Sequence, residues 1–540
     1  MRDPLRIRAL GLAVLFVSFE ARAADYYVNP STGSATNDGS AAKPWKTLEE
    51  VIQAGLFGSK VKGGDTVHLA DGYHGEMAVS GGNYAPPISV KSDTKKGAKL
   101  RHVRFSNTSG WLLSGVSVSP SYGSTSGAIT MIEIQTNASK VTVEDSEAFS
   151  VADATGWGVS EWLDTASNGV SVRGAESVLR NTHVKNVRFG ISADASKVLI
   201  EGNTVENFSA DGLRGLGDDE TFQYNVVKNS YLDDSVDTNH DDGFQSWSVG
   251  TGGVGTGEVK NMTLRGNVII NAENPAQPLQ GTLQGIGCFD GTFVGWVVEN
   301  NVVITNHWHG ISLYGARDSR VVNNTVIDTD AAKPGPPWIM VTAHKDGTPS
   351  QNVVVRNNLA TDYDVSGTNV VQDHNVTLKN DLATYFVKSV APWDLHLLPT
   401  SPAIDQGSSD QAPPLDADKV PRPQGAGVDL GAYEWHDGSV IPTGGSGGGA
   451  GTGGNAGAAG AAGGSGGTAS GGTSASGGSS GAGATTGGSA GKKSSDGGDD
   501  GGCGCRTADG RSSGGLFVVA SMLALCLRGR RRSARPVSES

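Results

Sequence analysis

Short runs of β-branched and apolar residues recur along the middle of the chain, each opened by Asn: "RNTHVKN" at Asn181, "GNTVEN" at Asn203, "YNVVKN" at Asn225, "GNVIIN" at Asn267, "NNVVITN" at Asn301 and "NNTVID" at Asn324. A second marker, Gly before an apolar residue, follows the first five: Gly190-Ile191, Gly212-Leu213, Gly243-Phe244, Gly285-Ile286 and Gly310-Ile311. From Asn181 to Gly190, Asn203 to Gly212 and Asn301 to Gly310 the step is 9 residues; from Gly190 to Asn203 and Gly212 to Asn225 it is 13. The basal unit is thus a coil of 22 residues. A unit this short cannot bury its apolar face alone and must stack on its neighbours, which makes the chain a solenoid.

β-Branched strands separated by Gly, Asn and Asp turns predict a parallel β-helix, with the Asn side chains stacked in a ladder that satisfies their amides. A propeller blade needs about 40 residues, and a leucine-rich repeat needs a Leu consensus that is absent. At the N-terminal end Thr47 and Glu50 read as a capping box opening a short helix through Ala54, placed to plug the stack and hide its terminal strand. Three segments resemble the flanks of secreted right-handed β-helix proteins: "YYVNPSTGSATNDGSAAKPWKTLEEV" from Tyr26, and "SPAIDQG" and "RPQGAGVDLGAYE" between Ser401 and Glu434. On them, residues 25–434 resemble the right-handed parallel β-helix superfamily, home of many polysaccharide lyases and some glycoside hydrolases. The resemblance implies an all-β, single-stranded right-handed parallel β-helix and leaves the chemistry open.

The termini divide the chain further. Arg2, Arg6 and Arg8, the apolar run to Phe19 and Ala21-Arg22-Ala23 fit an export signal over residues 1–24. The β-helix with its caps occupies 25–443. Residues 444–502 are a Gly/Ser/Ala-rich tether that cannot build a core. Residues 503–540 carry Cys503-Gly-Cys505, an apolar stretch from Leu516 to Leu527 and Arg528, Arg530, Arg531 and Arg532. The stretch is shorter than the roughly 20 residues that span a bilayer. This order of parts resembles the C-terminal sorting domain of myxobacterial surface proteins, which implies a sorting protease, contact with the membrane and display at the outer cell surface.

Cys288 is the one cysteine outside the tail, so a disulfide framework is excluded and the fold must carry its own stability; its position three after Gly285 points it inward. A net charge of −13 argues against nucleic acid as a partner. The chain reads as a monomer; an acidic polysaccharide, the substrate class that the superfamily resemblance implies, runs mildly against this charge unless the site is locally basic or holds cations.

Departures from the 22-residue coil mark the binding face, since solenoid insertions go to loops on one side. Asn225 to Gly243 and Asn267 to Gly285 are 18 residues, Gly243 to Asn267 is 24, and Asp145 to Gly169, carrying Trp157 and Trp162, is also 24. Aligned on the marker Gly, the residue after it points inward and the next outward. The outward columns read Ser171, Ser192, Arg214, Gln245, Gly287, Ser312 and then Arg173, Asp194, Leu216, Trp247, Phe289, Tyr314. The position before Gly reads Asn168, Phe189, Asp211, Asp242, Gln284, His309. Asp211 and Asp242 therefore become neighbours, with His240 and His307 at matching offsets upstream.

Two carboxylates one coil apart repel unless they share a proton or a cation. As oxygen ligands, Asp211, Asp241 and Asp242 suit Ca2+ better than Zn2+. The segments "NHDDGFQSW", "LQGIGCFDG" and "HWHGISLYG" resemble consecutive coils of bacterial alginate-lyase-like proteins, which implies β-elimination on a uronate. In that reading Arg214, Gln245 or Ca2+ neutralises the carboxylate, His309 or His240 is the base and Tyr314 the acid. Trp247, Gln284, Asp290 and His307 complete the substrate contacts, with Asp211 and Asp242 among the catalytic groups. Two alternatives stay open. Asp241-Asp242 and "HGISLYG" also resemble polygalacturonases, implying an inverting hydrolase with a carboxylate pair. A non-catalytic carbohydrate binder or adhesin would use Trp157, Trp162, Trp247 and Trp308 as stacking platforms.

Overall fold

A computed structural model describes residues 23–123, 127–237, 240–330 and 333–438. The signal segment, the Gly-rich tether and the C-terminal sorting segment lie outside these residues, apart from the last two residues of the first. The described chain is a right-handed parallel β-helix of three long sheets, with 13, 11 and 12 strands, each coil contributing one strand to each sheet in turn. All ladder pairs within these three sheets are parallel, and the interior is one continuous apolar column running from Val28 to Ala360.

The Asn ladder explains why the repeat is legible in sequence. Asn203, Asn225, Asn267, Asn301, Asn324, Asn358 and Asn375 donate in succession, each Nδ2 to the next Oδ1 at 2.9–3.0 Å. Each Oδ1 also accepts the preceding Asn backbone N–H, so the buried amides are satisfied inside the bend. Asn181 stands outside this ladder: Thr182 occupies the column, its N–H donating to Asn203 Oδ1 at 3.0 Å. Asn181 instead fills the preceding position, which is left-handed in every coil (Asn181 φ 51°, Gly202 63°, Tyr224 56°, Gly266 60°) and favours Asn or Gly. One coil is consequently 21 residues, Val170 pairing with Ile191, and the next is 22, Ile191 pairing with Leu213.

The marker glycines have a separate reason. A Cβ on Gly190 would lie 2.2 Å from the Gly212 carbonyl oxygen, and one on Gly285 2.2 Å from that of Gly310. Successive coils approach too closely at this bend for any side chain.

The N-terminal end is closed as expected. Helix Leu48–Gln53 is capped by Thr47, whose hydroxyl accepts the Glu50 N–H at 3.2 Å, and it buries Leu48 and Val51 over the first coils. The C-terminal segment packs against the flank of the 12-stranded sheet in a second apolar cluster that includes Phe386, Leu395, Leu397 and Leu430. Arg422 and Glu434 form a buried ion pair at 2.7 Å that ties this segment to itself. Among the described residues no helix is long and apolar enough to cross a membrane. Cys288 is fully buried.

Candidate functional site

The outer face of the 11-stranded sheet carries the expected columns. Arg214 pairs with Gln245, Gln245 with Gly287 and Gly287 with Ser312, one coil apart each. The second column slips: a β-bulge at Ser246/Trp247 sets Trp247 opposite Asp290 rather than Phe289. Asp290 thereby joins the wall, and the Phe289 ring turns to His309 (centroids 4.6 Å) and Tyr314 (5.3 Å).

Insertions fence this face on both edges. On one, Trp162 stacks on Tyr231 at 4.5 Å, Arg188 holds Asp237 at 3.1 Å, and Asp234 accepts the Thr282 N–H at 3.1 Å, which joins three insertions into one rim. On the other stand the hairpin Val249–Gly250/Gly253–Val254 and the turn after Thr342. The strands Asp242–Trp247, Gln284–Asp290, His309–Tyr314 and Trp338–Thr342 form the floor between them.

The carboxylate pair lies beneath that floor. Asp211 and Asp242 are sealed from solvent; Asp211 accepts from Arg214 Nε and from the Asp242 N–H (3.0 Å). Asp242 Oδ2 accepts from Gln245 Nε2 at 3.0 Å, while its Oδ1 is buried with no partner among the described residues, as is Gln284 Oε1 on the register-paired strand. Burial lifts both carboxyls. Arg214 opposes the rise at Asp211, whereas Asp242 is pushed well up by burial and then by Asp211 and Asp241. The two carboxyls titrate as a pair, and Asp242, which lacks the compensation that Arg214 gives Asp211, is the member whose charge the surroundings disfavour more. The position works only because residue 287 is Gly: a Cβ there would lie 2.0 Å from Asp242 Oδ1.

Several expected roles change on this geometry. Arg214, expected to meet a uronate, is 4% exposed, with its guanidinium 4.1 Å from the Phe189 ring centre and 5.3 Å from that of Trp247. It serves the buried carboxyl instead. Gln245 is likewise engaged by Asp242. Around Asp211, Asp241 and Asp242, the residues expected to hold Ca2+, no group of three or more His, Cys, Asp or Glu among the described residues is arranged to hold a metal ion; both oxygens of Asp211 and Oδ2 of Asp242 accept from protein donors, and Oδ1 of Asp242 does not. As stacking platforms Trp162 and Trp247 are buried and Trp157 packs edge-on against Trp162, which leaves Trp308, 37% exposed.

What faces the cleft is an imidazole, phenol and ammonium cluster. His309 lies against Trp338 (5.7 Å) and His307 (5.2 Å), and Tyr314 is half-buried beside them. Burial holds His309 down at about 3, helped by His307, His240 and Lys345, and holds His307 down at about 4, helped by His240. Both rings are neutral near pH 7. Burial raises Tyr314, with the Lys345 ammonium opposing. His240 is exposed at the cleft edge. Lys345, which sequence reasoning missed, reaches Asp290 at 2.9 Å and shares the field of His309 and Tyr314. Trp338 was missed too, although one more coil in the column alignment reaches both: Tyr314 pairs with Thr342, three residues before Lys345.

The family described as right handed beta helix region matches residues 168–336. No curated protein matches the chain. Among solved structures it is similar to pectate lyase Pel9A (14% identity, 77% of this chain and 97% of that one, TM-score 0.36). It is also similar to the A-module of the Azotobacter vinelandii mannuronan C-5 epimerase AlgE4 (13%, 65% and 100%, 0.36). A third similar structure is a mannuronic acid specific polysaccharide family 6 lyase from human gut microbiota (13%, 65% and 83%, 0.35). These likenesses concern the fold; the chemistry has to come from the cleft.

Proposed function

We propose that the protein is an exported polysaccharide lyase that cleaves a uronate-containing chain by β-elimination in the cleft around Tyr314. The observation that carries this reading over the hydrolase is the burial of Asp211 and Asp242: neither carboxyl reaches the cleft, and Arg214 is committed to Asp211. An inverting hydrolase needs two carboxyls flanking the bond, with room for a water. The groups that do face the cleft are those an elimination uses. Lys345, partly exposed, offsets the uronate carboxylate and acidifies the adjacent C–H. His240 takes that proton, and Tyr314, a phenol protonated at neutral pH and held up further by burial, donates one to the departing oxygen.

A second reading has its own support. Trp308 and Trp338 lie nearly parallel, 6.3 Å apart, at the mouth of the cleft, a ledge on which a sugar ring can stack. A non-catalytic carbohydrate binder would use that ledge without the proton transfers. Replacing Tyr314 by Phe separates the two: Y314F keeps the ledge and binding, and in a lyase it lowers kcat on the order of 10²-fold. Equal kcat in Y314F and wild type removes Tyr314 from the mechanism. Surface display rests on the terminal segments and is tested by locating the mature chain in fractionated cells.

A further inference from the structure

His307 and His309 each have one ring nitrogen committed to a partner, and the partner fixes the tautomer. Trp338 Nε1–H, which can only donate, lies 3.4 Å from His309 Nδ1, and Ser312 Oγ lies 2.9 Å from the same nitrogen. The backbone N–H of His309, also donor-only, points at His307 Nδ1 at 3.2 Å. Both Nδ1 atoms are therefore acceptors, and each neutral ring carries its proton on Nε2. Among the described residues neither Nε2 has a hydrogen-bond partner, yet neither is among the side-chain nitrogens sealed from solvent. Two N–H donors, with ring centres 5.2 Å apart, are thus left unused beside Lys345 and Tyr314.

A general base needs a lone pair facing substrate, and both lone pairs face inward. We propose that His307 and His309 form a neutral two-donor subsite for a carboxylate, the substrate's uronate group, whose charge grows to that of an enolate as the neighbouring C–H loses its proton. This rests on the lyase reading for its catalytic half, whereas carboxylate binding stands without it. Their burial serves the role, because fixed donors in a dry site stabilise developing negative charge without reorganising. The proton taken from carbon goes to the base and not to either imidazole, so both rings keep one proton throughout. Glutamine reproduces an N–H near the Nε2 position and cannot accept a proton, which makes it the diagnostic substitution.

The test uses the full chain labelled with 15N-histidine, first alone and then with saturated trimannuronate, trigalacturonate and their methyl esters. The expected spectrum has an unprotonated Nδ1 and protonated Nε2 in both rings from pH 5.5 to 8, with the Nε2 signals moved by at least one acid trimer and by neither ester. A proton on Nδ1 of either ring, ordinary titration near 6.5, or no response to either acid overturns the subsite. In turnover, H309A is expected to lose on the order of 10²-fold in kcat/KM, as for a lost oxyanion donor, and H309Q to recover most of it. H309Q as inactive as H309A, with both folded by circular dichroism, overturns the catalytic half. If wild type binds the acid trimers with these signals but forms no unsaturated product from uronate polymers, the lyase reading fails and the carboxylate subsite stands.

Discussion

Asp242 concentrates the physics of the site. It is an acid whose charge burial disfavours, packed against Gly287 and flanked by an Asp211 that Arg214 compensates. Its folded pKa lies above its unfolded value of about 3.9, so the native state binds more protons and stability falls as pH rises above that value. Asn in its place removes the ionisable group while keeping a donor. D242N is expected to match wild type near pH 4 and to exceed it by about 1–3 kcal/mol at pH 8 in denaturant melts, with turnover kept within several-fold. A D242N protein that is less stable at pH 8 than at pH 4 relative to wild type contradicts a raised pKa at Asp242. Substituting Gly287 by Ala should cost about 1–3 kcal/mol through collision with the Asp242 carboxyl. The sequence made Asp211 and Asp242 neighbours through spacing alone. Their burial was not legible, because it depends on Phe189 and Trp247 closing over Arg214, and alternation says only which side of a strand a residue takes, not what covers it.

At the scale of the coil, two asparagines that look alike in sequence do different work. Asn301 sits in the ladder, accepting from Asn267 and donating to Asn324 and to the Leu264 carbonyl. Asn181 occupies the left-handed position one residue earlier in its coil. N301A leaves several buried polar groups unpaired and should cost at least about 3 kcal/mol, at about 1–3 kcal/mol for each. N181G should be neutral or slightly stabilising, since Gly202 and Gly266 already fill that column. Thermal melts of the two variants decide it; equal losses would mean the ladder is not the unit of stability. Sequence repeats gave the strand order and nearly all of the register, because period-2 burial and the Asn-Gly spacing are local. The bulge at Ser246/Trp247 escaped, since an extra residue in one strand leaves no mark on either neighbour's spacing.

Over the whole molecule, the fold class was legible because the same coil recurs, whereas the cleft was legible only where it falls inside the repeat. Lys345 belongs to a turn beyond the last marker Gly, one coil past the end of the column alignment. The C-terminal segment contributes a pH-dependent tie. His396 donates to Asp418 (2.7 Å) and Asp394 (2.6 Å), and these carboxylates outweigh burial to lift it to about 9. Its raised folded value means stability present below about 6.5 and lost as pH rises through about 9. H396Q should therefore melt below wild type at pH 6, with the gap closing by pH 10; a gap independent of pH removes His396 as its source. Because no group of three or more His, Cys, Asp or Glu among the described residues is arranged to hold a metal ion, a chelator is expected to leave the melting temperature unchanged, and a fall of several degrees would show a structural cation.

Elimination at this cleft is read most directly from the ultraviolet absorbance of unsaturated uronate ends. The full chain would be incubated with mannuronate, guluronate and galacturonate polymers and with glycosaminoglycans, alongside Y314F and D242N. Rising absorbance is expected on at least one polymer, retained by D242N and lost in Y314F. New reducing ends without that absorbance, abolished in D242N, would contradict elimination and return the chemistry to the buried carboxyl pair.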